Sequence, residues 1–95
     1  MFKVIVSPRA WGDFFEIFDY ISRDNREAAA RFCDALLSHV DLLGTFPHIG
    51  VVSAQRLNVR SVLHTPVRIY YRVDDSRECV EIIHFWHTAR GNPVI

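Results

Sequence analysis

Val67-Arg68-Ile69-Tyr70-Tyr71-Arg72-Val73 decides the fold, together with Val80-Glu81-Ile82-Ile83-His84-Phe85-Trp86-His87-Thr88-Ala89-Arg90, which follows after an acidic turn. The first run alternates. Side chains of a strand repeat every two residues, so Val67, Ile69, Tyr71 and Val73 share one face and Arg68, Tyr70 and Arg72 the other. One face is built for a core. The other carries two guanidinium groups and a phenol on a rigid platform, which is either a solvated exterior or a surface for anions or a partner. The second run is apolar on both faces, as expected of a strand inside a sheet rather than at its edge.

Working outward, Asn58–His64 alternates as well and precedes Val67 by Thr65-Pro66, so three strands, 58–64, 67–73 and 79–87, are predicted as an antiparallel meander. Ahead of them Thr45–Gly50 is a turn-rich loop. At the amino end Phe2, Val4 and Val6 alternate with Lys3, Ile5 and Ser7 in a short strand, and Ser7-Pro8 is a helix-start signal. Trp11, Phe14, Phe15, Phe18 and Ile21 follow at helical spacing. Gly12 lies within that helix, where it lowers propensity and offers close approach to a neighbour. The pattern breaks at 22–25, and Asp24 with Glu27 has capping-box spacing for a second helix. Phe32, Cys33, Leu36, Leu37, Val40 and Leu43 form its apolar stripe, with Gly44 as the expected terminator. The short link predicts a helical hairpin. The fold class is therefore α+β, in the order β-α-α-β-β-β. The hairpin covers one face of a small, mainly antiparallel sheet through Phe14, Phe18, Ile21, Leu36 and Val40.

Ninety-five residues make one domain, 1–95, and a 49% apolar composition is that of a globular chain. No run approaches the roughly 20 apolar residues of a membrane span, and the amino end reads as a strand rather than a signal peptide. Cys33 and Cys79 lack metal-ligand spacing and are expected as free thiols of a cytoplasmic protein. Net charge is zero but uneven: residues 1–48 hold five basic and seven acidic residues, and residues 49–95 hold six and four. Arg56, Arg60, Arg68 and Arg72 form a run free of acid until Asp74, a local basic patch weaker than that of a dedicated nucleic-acid binder.

Arg60, Arg68 and Arg72 are the first candidate site residues, expected on one sheet face where like charges cost stability unless an anion or partner offsets them. Tyr70 adds a group suited to stacking a base or anchoring an interface. His84 and His87 are three apart on a strand and point to opposite faces, so they cannot share a metal ion; no cofactor or metal is implied. His84 is expected as a core group. His87 lies near the strand end with Arg90 three residues on, an arrangement fit for acid–base work on a phosphate ester. No nucleophile turn or phosphate loop is present. Asp13, Glu16 and Asp19 read as the wet side of the first helix. Trp11, Phe14, Phe15, Phe18, Tyr20 and Trp86 exceed what a two-layer core hides, leaving some for a docking surface.

Across nearly its whole length the chain resembles the ParE/RelE superfamily of toxins from type II toxin–antitoxin systems. The resemblance rests on Val4–Ala10, Ile17–Ile21, Ala28–Phe32, Leu42-Leu43, Phe46–Gly50, Val59–Val62, Val67–Val73 and His87–Arg90, in that order and spacing. It implies the same fold of two helices on a small sheet, and a toxin neutralised by a cognate antitoxin. RelE-like members cleave messenger RNA on the ribosome with basic residues and a late tyrosine or histidine; ParE-like members inhibit DNA gyrase. This chain keeps Arg68 but has neither a late tyrosine nor a basic balance, which favours the ParE branch. The target- or anion-binding residues are then Arg60, Arg68, Tyr70, Arg72, Trp86, His87 and Arg90, with His87 and Arg90 catalytic only in a ribonuclease. A degenerate toxin that only binds its antitoxin is the third reading.

Overall fold

In the computed structural model, which describes residues 1–56, 58–91 and 93, the chain runs β1 (Lys3–Val6), α1 (Pro8–Ser22), α2 (Arg26–Thr45), β2 (Val51–Val52), β3 (Val59–His64), β4 (Val67–Asp74), β5 (Cys79–His87) and a 3-10 turn (Thr88–Arg90). Both helices begin where a side-chain oxygen takes up an orphan N–H. Ser7 accepts from the Ala10 N–H at 3.1 Å with Pro8 at the first turn, and Asn25 accepts from Ala28 at 3.0 Å. The second cap is Asn25 and not Asp24.

Gly44 does not terminate α2, which continues to Thr45. Its role is close approach: the Phe2 N–H donates to the Gly44 carbonyl at 2.8 Å, and a Cβ on Gly44 would meet the Phe2 carbonyl oxygen at 2.7 Å. Gly12 has no such neighbour, since nothing lies within 4 Å of a Cβ built there.

The sheet order is β1-β5-β4-β3-β2, with β1 parallel to β5 and every other pair antiparallel. β2, pairing Val51 with Ser61 and Val52 with Arg60, is an additional strand inside a stretch too short to show alternation. On β5 a bulge at Ile83 separates the Tyr71–Ile82 pair from the Tyr70–His84 pair. It keeps Ile82 and Phe85 both on the helix side although they are three residues apart. That side forms the core: Val67, Ile69 and Tyr71 of β4 and Val80, Ile82 and Phe85 of β5 against Phe14, Ile17, Leu36, Val40 and Leu43. Phe18 and Ile21 are partly buried at its margin. Each fully buried side chain of this kind contributes about 1.5–3 kcal/mol. Cys33 and Cys79 are free thiols, and burial raises the Cys33 pKa above the ordinary range.

Candidate functional site

The helix-free face of the sheet carries the polar residues. Cross-strand partners share a face, so Arg68 opposite Trp86, Tyr70 opposite His84 and Arg72 opposite Glu81 line it in three successive rows. Arg72 donates to Glu81 at 2.6 Å, Arg68 reaches the Ser61 hydroxyl at 3.4 Å, and the Trp86 indole N–H donates to the Gly91 carbonyl at 2.7 Å. The His84 ring stacks on Tyr70 with centroids 6.2 Å apart and is flanked by Trp86 at 5.4 Å.

Arg60 is not among them. The two-residue turn Thr65-Pro66 sets Arg60 opposite Tyr71, on the helix side. There it donates to the carbonyls of His48 and Gly50 at 3.2 and 2.9 Å, while the Tyr71 hydroxyl accepts from the Gly50 N–H at 2.8 Å. Arg60 and Tyr71 thus fasten the loop between α2 and β2 to the sheet. Burial raises the Tyr71 pKa, and the Gly50 bond and the Arg60 charge act against that rise.

His87 also departs from the arginine face. It pairs with Val67 on the helix side, its ring centroid 6.4 Å from that of Tyr20, and its Nδ1 accepts from the Ala89 N–H at 3.2 Å, capping the 3-10 turn. In the neutral ring that bond places the proton on Nε2. With Arg90, Glu16 and Tyr20 it lines a cavity of about 180 Å³ beside α1. Among the described residues, no group of three or more His, Cys, Asp or Glu side chains is placed to hold a metal ion.

Asp13, read from the sequence as solvated, reaches inward. β1 ends at Val6, so the edge of β5 beyond Ile82 is open, and one Asp13 carboxylate oxygen closes it. That oxygen accepts from His84 Nδ1 at 2.5 Å and from the Phe85 N–H at 3.2 Å. The residue was missed because its partners lie 71 and 72 positions away, and its helical neighbours Glu16 and Asp19 face water. Of the aromatic surplus, Trp11, Phe15 and Tyr20 remain exposed on α1, with the Trp11 and Phe15 rings stacked at 6.0 Å.

The profile of the ParE toxin of type II toxin–antitoxin systems (parDE) matches residues 4–91. The chain belongs to the ParE toxin family. Solved structures agree with that membership at the level of fold. A chain of the chromosomal ParDE toxin–antitoxin system from P. aeruginosa superposes with a TM-score of 0.77 at 20% identity, covering 92% of this chain and 96% of its own. A chain of the RelBE2 toxin–antitoxin complex from Mycobacterium tuberculosis gives 0.72 at 20% identity, covering 90% and 96%. No curated protein matches the sequence. Among the described residues of this ParE-family chain, no helix is long and apolar enough to cross a membrane.

Proposed function

We propose that this ParE-family toxin acts in the cytoplasm by binding DNA gyrase through protein contacts rather than by cleaving RNA, and that a cognate antitoxin neutralises it. The observation that carries the reading is the separation of His87 from Arg68 and Arg72. The register places His87 on the helix side and the two arginines on the opposite face. A ribonuclease needs its proton-transfer group and its charge-stabilising groups within reach of one phosphate; Arg68 and Arg72 lie on the face away from His87, which leaves Arg90 as the guanidinium lining its cavity. Inhibition by contact needs only a shaped surface. For the antitoxin, the exposed Trp11, Phe15 and Tyr20 offer anchors for an apolar segment that orders on binding. The two solved neighbours come from ParDE and RelBE2 toxin–antitoxin systems, which favours the same arrangement here.

The test uses the purified chain in two parallel assays, gyrase supercoiling and ribosome-dependent messenger cleavage, with growth arrest on induction as the cellular readout. Supercoiling should be inhibited, messenger should stay intact, and folded His87→Gln should remain toxic. Messenger cleavage by the parent, abolished in His87→Gln, would overturn the reading in favour of the ribonuclease. Co-expression with the adjacent reading frame should yield a stable complex; a chain that never co-purifies with that product contradicts the antitoxin part.

A further inference from the structure

We propose that His39 of α2 and His64 of β3 form a binding site for a divalent first-row transition ion, each ligating through Nδ1. The two Nδ1 atoms stand 2.9 Å apart with ring centroids at 5.1 Å, so the nitrogens face each other where the helix layer meets the sheet. The residues are 25 positions apart in the chain, and only the packing of α2 on β3 unites them. Phe32 packs edge-on against His64 at 5.4 Å and restrains that ring.

The pair is open to solvent. Both residues are half-buried. Neither Nε2 has a protein hydrogen bond and neither is sealed, since among the described residues only the His84 Nε2 is both buried and unpartnered. Without a metal, the contact holds one proton, which one ring donates from Nδ1 and the other accepts. Two neutral imidazoles suffice for that bond, and two neutral imidazoles are also two metal ligands. Burial, and then the neighbouring ring, lowers the His64 pKa, which keeps a lone pair on that ring at neutral pH.

The spacing selects the ion. With metal–nitrogen bonds of about 2.0–2.1 Å, adjacent positions of a square-planar or octahedral ion set two nitrogens about 2.9 Å apart, and those of a tetrahedral ion about 3.3 Å. The observed 2.9 Å meets the first geometry. Rotation about χ2, a soft torsion in histidine, turns the facing lone pairs toward a shared ion. Nickel(II) and copper(II) are therefore favoured over zinc, and magnesium, which takes oxygen ligands, is not bound. On ligation the ring that held the Nδ1 proton carries it on Nε2 instead, facing water, so no proton is gained or lost. Two protein ligands leave the remaining positions to water, which makes the ion exchangeable, and while bound it ties α2 to the end of β3.

The purified full chain, stripped with EDTA, is melted and titrated calorimetrically with nickel(II), zinc(II) and magnesium chlorides. Copper(II) is left out because it oxidises thiols and the chain has two free cysteines. Nickel at a hundred times its dissociation constant should raise the melting temperature by about 10–20 °C, zinc should bind more weakly, and magnesium should do nothing. His39→Gln and His64→Gln should each weaken nickel binding by about tenfold or more, and the double variant little further. His48, an exposed histidine 3.0 Å from Asp75, is the adventitious rival, and His48→Gln should leave the nickel shift unchanged. A readout that needs no variant is the ¹⁵N spectrum of the parent with diamagnetic zinc, in which both Nδ1 signals should shift and both rings should become the Nε2–H tautomer. No saturable stabilisation, stabilisation that survives loss of either His39 or His64, or Nδ1 signals unmoved by zinc would overturn the site. Neither toxicity nor gyrase inhibition enters these readouts, so the ion site and the proposed target fail independently.

Discussion

Replacing Asp13 with alanine tests whether one carboxylate holds the exposed end of β5. In the parent, one oxygen accepts from both His84 Nδ1 and the Phe85 N–H. Hydrogen bonds to a charged group are worth about 1.5–3 kcal/mol each, so the pair sets a ceiling of about 3–6 kcal/mol. The Asp13 side chain is 19% exposed, so water takes over part of the Phe85 bond in the variant, whereas His84, at 6%, has no such access. The expected loss is therefore about 2–4 kcal/mol. For a domain of this size that lowers the melting temperature by about 10–25 °C. Asp13→Asn keeps one acceptor without the charge and should lose about half as much. Thermal melts give the energy, and hydrogen exchange at the Phe85 amide locates it: protection should fall there and persist at Ile69. A variant melting within about 3 °C of the parent with Phe85 still protected would refute the edge-closing role.

His39 and His64 bring their Nδ1 atoms to 2.9 Å, and burial, with the neighbouring imidazole, lowers the His64 pKa below the usual value. The unfolded chain then binds the proton more readily, so stability should be full above the ordinary imidazole range, near about pH 6.5, and fall as pH drops through it toward the lowered value. Urea midpoints across this range should show that fall, reduced in His39→Gln. Gly44→Ala forces a Cβ against the Phe2 carbonyl and should cost about 1–3 kcal/mol despite alanine's better helix propensity, as urea unfolding will show. Arg60→Ala should cost about 1–2 kcal/mol by releasing the His48 and Gly50 carbonyls, with Arg68→Ala costing less; equal effects in thermal melts would contradict their placement on different faces.

The long elements were legible because their periods are strong: β4 and β5 fall within a residue of the alternating runs, and α1 starts at the Ser7-Pro8 signal. What alternation cannot supply is register between strands. Arg60 lies on the helix side because Thr65-Pro66 is a two-residue turn, which pairs residue 60 with 71; one more loop residue would have paired it with 72. β2 is two residues long, too short to carry a period. The bulge at Ile83 is a geometric event with no composition cue, and it hides from the sequence that Ile82 and Phe85 share a face. In the candidate site, Arg68, Tyr70, Arg72 and Trp86 were readable from one strand pair. Asp13 and His84 meet only after α1 folds back along β5, so their association is tertiary.

β1 lies parallel to β5, aligning Lys3 with Cys79 and Val6 with Ile82. The strand at residues 3–6 therefore waits for the segment at residues 79–82. Until residues 79–87 are in place, β1 has no neighbour in the sheet, α1 has no floor for Phe14, and β4 lacks its partner on one side. Chains truncated before residue 79 should be cut readily by protease, whereas chains that include residues 79–87 resist. The sheet therefore closes in a single step that waits for residues 79–87, and a copy lacking them has neither the packed core nor the polar face.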